Sequence, residues 1–167
     1  MPMTPPDTDA ASQAVVWSFG GRCALAVLLA MLIGSSGCVS LAYYWRTIRV
    51  ETQTHTTTNQ GMPVAVEIVF VHDDALVDTI GSMTATKWFD QRQALKWRHS
   101  EGVRWHRWEW APGQHVPTQR LPVRYGADAA FVFASYQSSG AHRSRIPPYR
   151  SLQLILNRDA FRVRPAD

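Results

Sequence analysis

One apolar stretch decides the compartment in which everything after it folds. Arg22 and Cys23 open it, residues 24–33 run without a polar side chain, and Gly34-Ser35-Ser36-Gly37-Cys38 closes it. A membrane-spanning helix needs about 20 apolar residues, whereas the apolar core of a secretory signal needs about 7–15 behind a positive charge. The run therefore has the length of an export signal. The polar, Pro- and Thr-containing segment ahead of it reads as a long signal n-region.

Four consecutive small residues leave an accessible, extended backbone before Cys38. The segment resembles a bacterial lipobox, in which the cysteine is lipidated and becomes the new N-terminus. Ser36 and Gly37 suit its small positions, while Ser35 stands where a lipobox has leucine. The competing reading is a single-pass inner-membrane anchor over residues 23–45, ending in the aromatic belt Tyr43-Tyr44-Trp45 before Arg46. Either way the remainder lies outside the cytoplasm. The chain thus divides into a signal peptide at 1–37 (n-region 1–22, h-region 23–34), a tether at 38–45 and a single domain at 46–167.

The whole chain carries +4, and removal of residues 1–37, which hold Asp7, Asp9 and Arg22, leaves +5 on 130 residues. That length suits one domain. Its positive charge is almost all arginine, with Lys87 and Lys96 the only lysines, and it is scattered over many segments, so no nucleic-acid partner is expected. Cys23 and Cys38 are the only cysteines. The domain can therefore form no internal disulfide and offers no thiolate nucleophile.

From residue 46 onward the texture is that of short strands. Ile48, Val50 and Thr52 alternate with polar residues, and a loop at 55–63 contains Asn59, Gly61 and Pro63. Residues 64–71 form a strong strand whose even positions face a core. Leu76, Ile80 and Met83 share one helical face, so 75–84 reads as a short helix, and 91–102 as a loop or single surface turn. Along 103–110 the apolar phase slips between Trp105 and Trp108, which a β-bulge would absorb. Residues 117–123 are flanked by prolines and suit an edge strand. The nearly continuous apolar run 128–136 suits a central strand with both faces covered. A basic loop at 142–150 and a final hairpin over 152–163 complete about seven strands. The predicted fold is mainly β, an antiparallel sandwich with one short helix, whose core holds Val66, Ile68, Phe131, Phe133, Leu154 and Leu156.

No catalytic constellation is legible. The histidines at 55, 72, 99, 106, 115 and 142 lack the pair spacing that would converge on a metal ion, so neither metal nor cofactor is expected. His72-Asp73-Asp74 reads as a strand-end turn, because adjacent residues on an extended chain point in opposite directions. The serines lie in no nucleophile elbow, and no Gly-rich phosphate loop exists. The tryptophans at 88, 97, 105, 108 and 110 could stack on sugars or bases. A sandwich without disulfides needs large core residues, so Trp88, Trp105 and either Trp108 or Trp110 are assigned to the core. Trp97, between Lys96 and Arg98, is left exposed.

The order of these features resembles the outer-membrane lipoproteins of type VI secretion systems, the TssJ family. It spans the lipobox-like Ser36-Gly37-Cys38, the first strand leading to Asn59 and Gly61-Met62-Pro63, the strand at 64–71 and Leu76. It continues through Trp88-Phe89, the turn at Pro112-Gly113, the strand at 131–136 and the last hairpin. The resemblance implies a transthyretin-like sandwich, non-enzymatic, held by lipid on Cys38 at the periplasmic face of the outer membrane. It also implies a partner, the periplasmic domain of the inner-membrane subunit TssM. The family's contact loop between strands one and two falls by position on His55, Thr56, Thr57, Thr58, Asn59, Gln60 and Gly61. Read as an ordinary polar connection, this loop should accept a Gly-Ser replacement with little loss of stability. The competing function is a periplasmic module that binds cell-envelope polysaccharide or peptidoglycan through Trp97, Trp108 and the basic loop.

Overall fold

The computed structural model describes residues 47–124 and 126–166. The readings made on the signal peptide, Cys38, the tether and the possible anchor fall outside the described residues.

Among the described residues eight strands form two four-stranded sheets. The first has the order β4 (Gln119–Pro122), β1 (Thr47–Thr54), β7 (Ser151–Leu156), β8 (Phe161–Pro165). The second has the order β3 (Val103–Trp110), β2 (Val64–Val71), β5 (Ala129–Ala134), β6 (Arg143–Ile146). This is the expected mainly-β sandwich, with β4 at an edge and β5 in the interior of its sheet. One pairing is parallel: β1 lies beside β7 with Val50 opposite Leu152 and Thr52 opposite Leu154. The reason is connectivity. β7 arrives by crossing from β6 in the other sheet over Pro147-Pro148, so no hairpin dictates its direction.

Side chains alternate across each strand and build two separate cores. Between the sheets, Ile48, Val50, Leu152, Leu154 and Leu156 meet Val64, Val66, Ile68, Phe70 and Trp110. On the outer face of the second sheet, Val69, Val71, Phe131 and Phe133 pack under Ile80, Met83, Trp88 and Leu95. These last four lie on or beside two helices, α1 (Val77–Gly81) and α2 (Ala85–Arg98). The six residues expected in one core are all buried, yet Phe131 and Phe133 belong to the helix layer and the other four to the sandwich. Coverage of both faces explains why β2 and β5 read as almost unbroken apolar runs.

Three local expectations are corrected. β3 runs in unbroken register against β2 from Val103 opposite Val71 to Trp110 opposite Val64, so there is no bulge. The phase slip arises because Trp105 faces the helix layer while Trp108 and Trp110 face the sandwich. Residues 91–98, expected as loop or a single surface turn, belong to the helix Ala85–Arg98: Thr84, in extended conformation, caps it by accepting from Lys87 N at 3.3 Å, and Lys96 and Arg98 suit its C-terminal dipole. The basic loop contains an edge strand, β6, whose Arg143 Nη1 donates to Met83 O at 3.1 Å. At 72–74 the turn stands as expected, with Asp73 Oδ1 accepting from Ala75 N at 3.1 Å. Trp88 is buried and Trp97 is 87% exposed.

Candidate functional site

Strand directions gather four connections at one end of the sandwich: residues 55–63, 111–118, 135–142 and 157–160. The first contains the residues expected to bind a partner. It is no loose connection. Asn59, Gln60 and Gly61 occupy the left-handed region in succession, with φ of 46°, 57° and 85°. Asparagine and glycine are the residues that tolerate this region best.

Two of the seven expected contact residues are fully buried. Thr58 Oγ1 donates to Leu156 O at 2.7 Å and accepts from His55 N at 2.8 Å. Asn59 donates from Nδ2 to Pro63 O at 2.7 Å, while its Oδ1 accepts from Gln137 N at 2.7 Å. Backbone bonds from Asn59 N to Asn157 O at 3.2 Å and from Gln60 N to Arg158 O at 3.1 Å join the loop to the β7–β8 turn. Thr58 and Asn59 therefore act as internal braces, and the expectation that a Gly-Ser linker could replace 56–60 at little cost is set aside.

His55, Thr56, Thr57, Gln60 and Gly61 remain exposed. Beside them Met62 is 53% exposed, a large apolar side chain that the polarity of the loop concealed. Gln60 Nε2 reaches Asp159 Oδ1 at 3.1 Å, and Ser138 Oγ donates to Asp159 O at 2.7 Å. Tyr136 stacks on His142 with centroids 5.0 Å apart and donates to Ala160 O at 3.0 Å; burial pushes its phenol pKa well up, so it stays protonated. Gly113, at φ 69°, brings its backbone against Thr56 and donates from N to His55 O at 2.9 Å. The result is a pre-formed surface of hydrogen-bonding groups around one exposed methionine. Among the described residues no three His, Cys, Asp or Glu side chains gather to hold a metal ion.

This architecture has solved counterparts. Lip of Serratia marcescens, a membrane-bound component of the type VI secretion system, superposes with a TM-score of 0.55 at 12% identity, over 73% of this chain and 98% of that one. The fold is TssJ-like. A chain of a type VI membrane complex matches with a TM-score of 0.58 at 13% identity, over 72% of this chain and 98% of its own length. A chain of the structure described as the T6SS protein TssM C-terminal domain (869-1107) from EAEC matches with a TM-score of 0.57 at 13% identity, over 73% and 100%. No protein-family model and no curated protein sequence matches the chain.

Proposed function

We propose that this chain is a non-enzymatic lipoprotein of a type VI secretion envelope complex, anchored through Cys38 in the outer membrane. In this reading it binds the periplasmic domain of the inner-membrane subunit TssM with the exposed part of the 55–61 loop. The fold likeness to type VI membrane components supports the assignment to that machinery.

The observation that carries the contact surface is the direction of β1. It enters the sandwich at Thr47, on the tether side, and delivers the chain at Thr54 to the loop end. Eight residues of strand place the loop about 26 Å from the entry point. The loop at that end is braced and pre-ordered by its internal hydrogen bonds, which reduces the ordering cost of binding.

Co-purification from detergent-solubilised envelopes tests the reading. Wild type should retain a large inner-membrane protein, and Thr57→Arg together with Gln60→Arg should release it without lowering thermal stability. Retention on peptidoglycan or envelope polysaccharide without such a protein would instead establish the competing binding module.

A further inference from the structure

The opposite end of the sandwich carries a second site. A cavity of about 530 Å³ opens there, lined by Phe70, His72, Lys96, Arg104, Trp105 and Arg124 among others. Arg104 stands on β3 of one sheet, and Arg124 follows β4 of the other. Their guanidiniums converge on a single oxygen: Arg104 Nη2 lies 3.1 Å and Arg124 Nη1 2.7 Å from Glu101 Oε2. Glu101 belongs to an exposed turn and its side chain is 70% exposed. Lys96 adds a third positive charge, held by the carbonyls of Ser100 and Val103.

One exposed carboxylate thus serves two arginines in a site with three cations. An oxygen that accepts from two guanidiniums is also what a phosphate group offers, with further oxygens to spare, and arginine's planar fork matches phosphate geometry. The cavity also holds one unsatisfied polar group, on a histidine kept neutral. His72 Nε2 is out of solvent with no hydrogen-bond partner among the described residues. Burial, helped by the charges of Arg124 and Arg104, holds the His72 pKa below its ordinary value, while the Gly126 backbone and Asp128 pull the other way. Phe70 and Trp105 supply apolar walls.

The location brings a lipid source of the anion within range. Thr47, where the chain enters the domain, pairs with Pro122, two residues before Arg124. Nine residues from Cys38 to Arg46 can extend at most about 32 Å. If Cys38 is lipidated, a tether of this length lets the cavity end reach the leaflet.

We infer that Arg104 and Arg124 form a clamp for a phosphate group, in which Glu101 holds the place of the anion until it arrives. The leaflet assignment rests on the anchoring reading; the clamp itself does not. Its ligand is either the phosphodiester of a lipid headgroup or a free phosphate.

Calorimetric titration of the full chain in neutral detergent separates these sources, with glycerophosphoglycerol as the deacylated headgroup and inorganic phosphate as the free anion. Binding of the diester alone identifies a headgroup site, and binding of both identifies a general phosphate site. In either case Arg104→Gln and Arg124→Gln should each weaken binding about tenfold, the loss of a charge-assisted contact. Glu101→Gln should tighten it by removing the competing carboxylate, and Arg162→Gln on β8 should change nothing. Failure of both probes to bind, equal affinity in the arginine variants, or weaker binding by Glu101→Gln overturns the clamp. Because both probes are soluble, the outcome does not depend on lipidation of Cys38, which is read separately from the mass of the mature N-terminus.

Discussion

Trp88 Nε1 donates to Glu67 Oε2 across 2.7 Å and so fastens α2 to the middle of β2 through a carboxylate with no exposed surface. The other oxygen of Glu67 faces Arg92 Nε at 3.2 Å and Arg107 Nη1 at 3.6 Å. Trp88 also stacks on Phe133 with centroids 5.1 Å apart and meets Trp105 edge-on at 5.7 Å. The helix layer is therefore organised around one buried acid and one buried indole.

Removing that acid should cost more than neutralising it. Glu67→Ala strands the Trp88 donor and two guanidiniums, and breaking a buried pair costs about 3–5 kcal/mol. Glu67→Gln keeps an acceptor for Trp88 and should cost clearly less. Urea unfolding of both variants measures the difference; equal losses would mean that the indole bond contributes nothing.

The same residue should leave a signature in pH. Burial raises the Glu67 pKa above 4.5, against the opposing Trp88 hydrogen bond and the charges of Arg92 and Arg107. A raised folded-state pKa means that the folded protein holds this proton more tightly than the unfolded chain. The contribution is fully present below 4.5 and is lost as pH rises through the raised value. Wild type should therefore lose stability relative to Glu67→Gln as pH increases from about 4.5. A difference that stays constant, or grows in the wild type's favour, contradicts the assignment.

Arg92 also explains what the sequence concealed. α2 buries Ala85, Trp88 and Leu95, and the inward position between Trp88 and Leu95 is an arginine whose partner lies on β2. A polar residue on the buried face breaks the apolar period, so 91–102 reads as loop although its helix is well capped. The strands were legible because alternation is local, and the double coverage of β5 showed in its unbroken apolar run. Which core each face joined was not legible, since that depends on where the helices fold back. At the loop end, Asn59-Gln60-Gly61 did carry a turn signal. Burial of Thr58 and Asn59 follows from contacts with residues 137 and 156–158, far away in sequence.

Phe133→Ala tests the helix layer. Phe133 is fully buried, and truncation of a buried phenylalanine costs about 3–5 kcal/mol. Because its partner is Trp88, near-ultraviolet dichroism from the indole should collapse with it. Leu154→Ala, in the sandwich core, should cost about 2–5 kcal/mol and leave that signal intact. A loss below about 1 kcal/mol for Phe133→Ala would place the wrong face of β5 against the helices.

The anchor prediction concerns Cys38. Each buried methylene of an acyl chain contributes about 0.8 kcal/mol, so a multiply acylated cysteine is held effectively permanently. Cys38→Ser should block processing and retain residues 1–37, detectable by mass spectrometry of the N-terminus. Val39-Ser40 lacks the aspartate that retains lipoproteins in the inner membrane, so the wild type should fractionate with the outer membrane. An unprocessed wild-type N-terminus, or its recovery with the inner membrane, counts against lipidation and outward sorting.

The loop at 55–61 should separate stability from binding, residue by residue. Asn59 sits at φ 46° and satisfies both Pro63 O and Gln137 N from a fully buried side chain. Alanine there meets the left-handed penalty of about 1–2 kcal/mol and leaves buried polar groups unsatisfied at about 1–3 kcal/mol each. Asn59→Ala should therefore lower the unfolding free energy by at least about 3 kcal/mol, and Asn59→Gly by less, because glycine avoids the left-handed penalty while leaving the same two groups unsatisfied. Thr57 is exposed, so Thr57→Arg should alter stability by no more than about 0.5 kcal/mol while reducing co-purification of the inner-membrane partner. If Asn59→Ala is as stable as the wild type, the loop is not braced as described. If Thr57→Arg still retains the partner while substitutions at Arg143 and Arg145 release it, the contact surface lies on β6 instead of the loop.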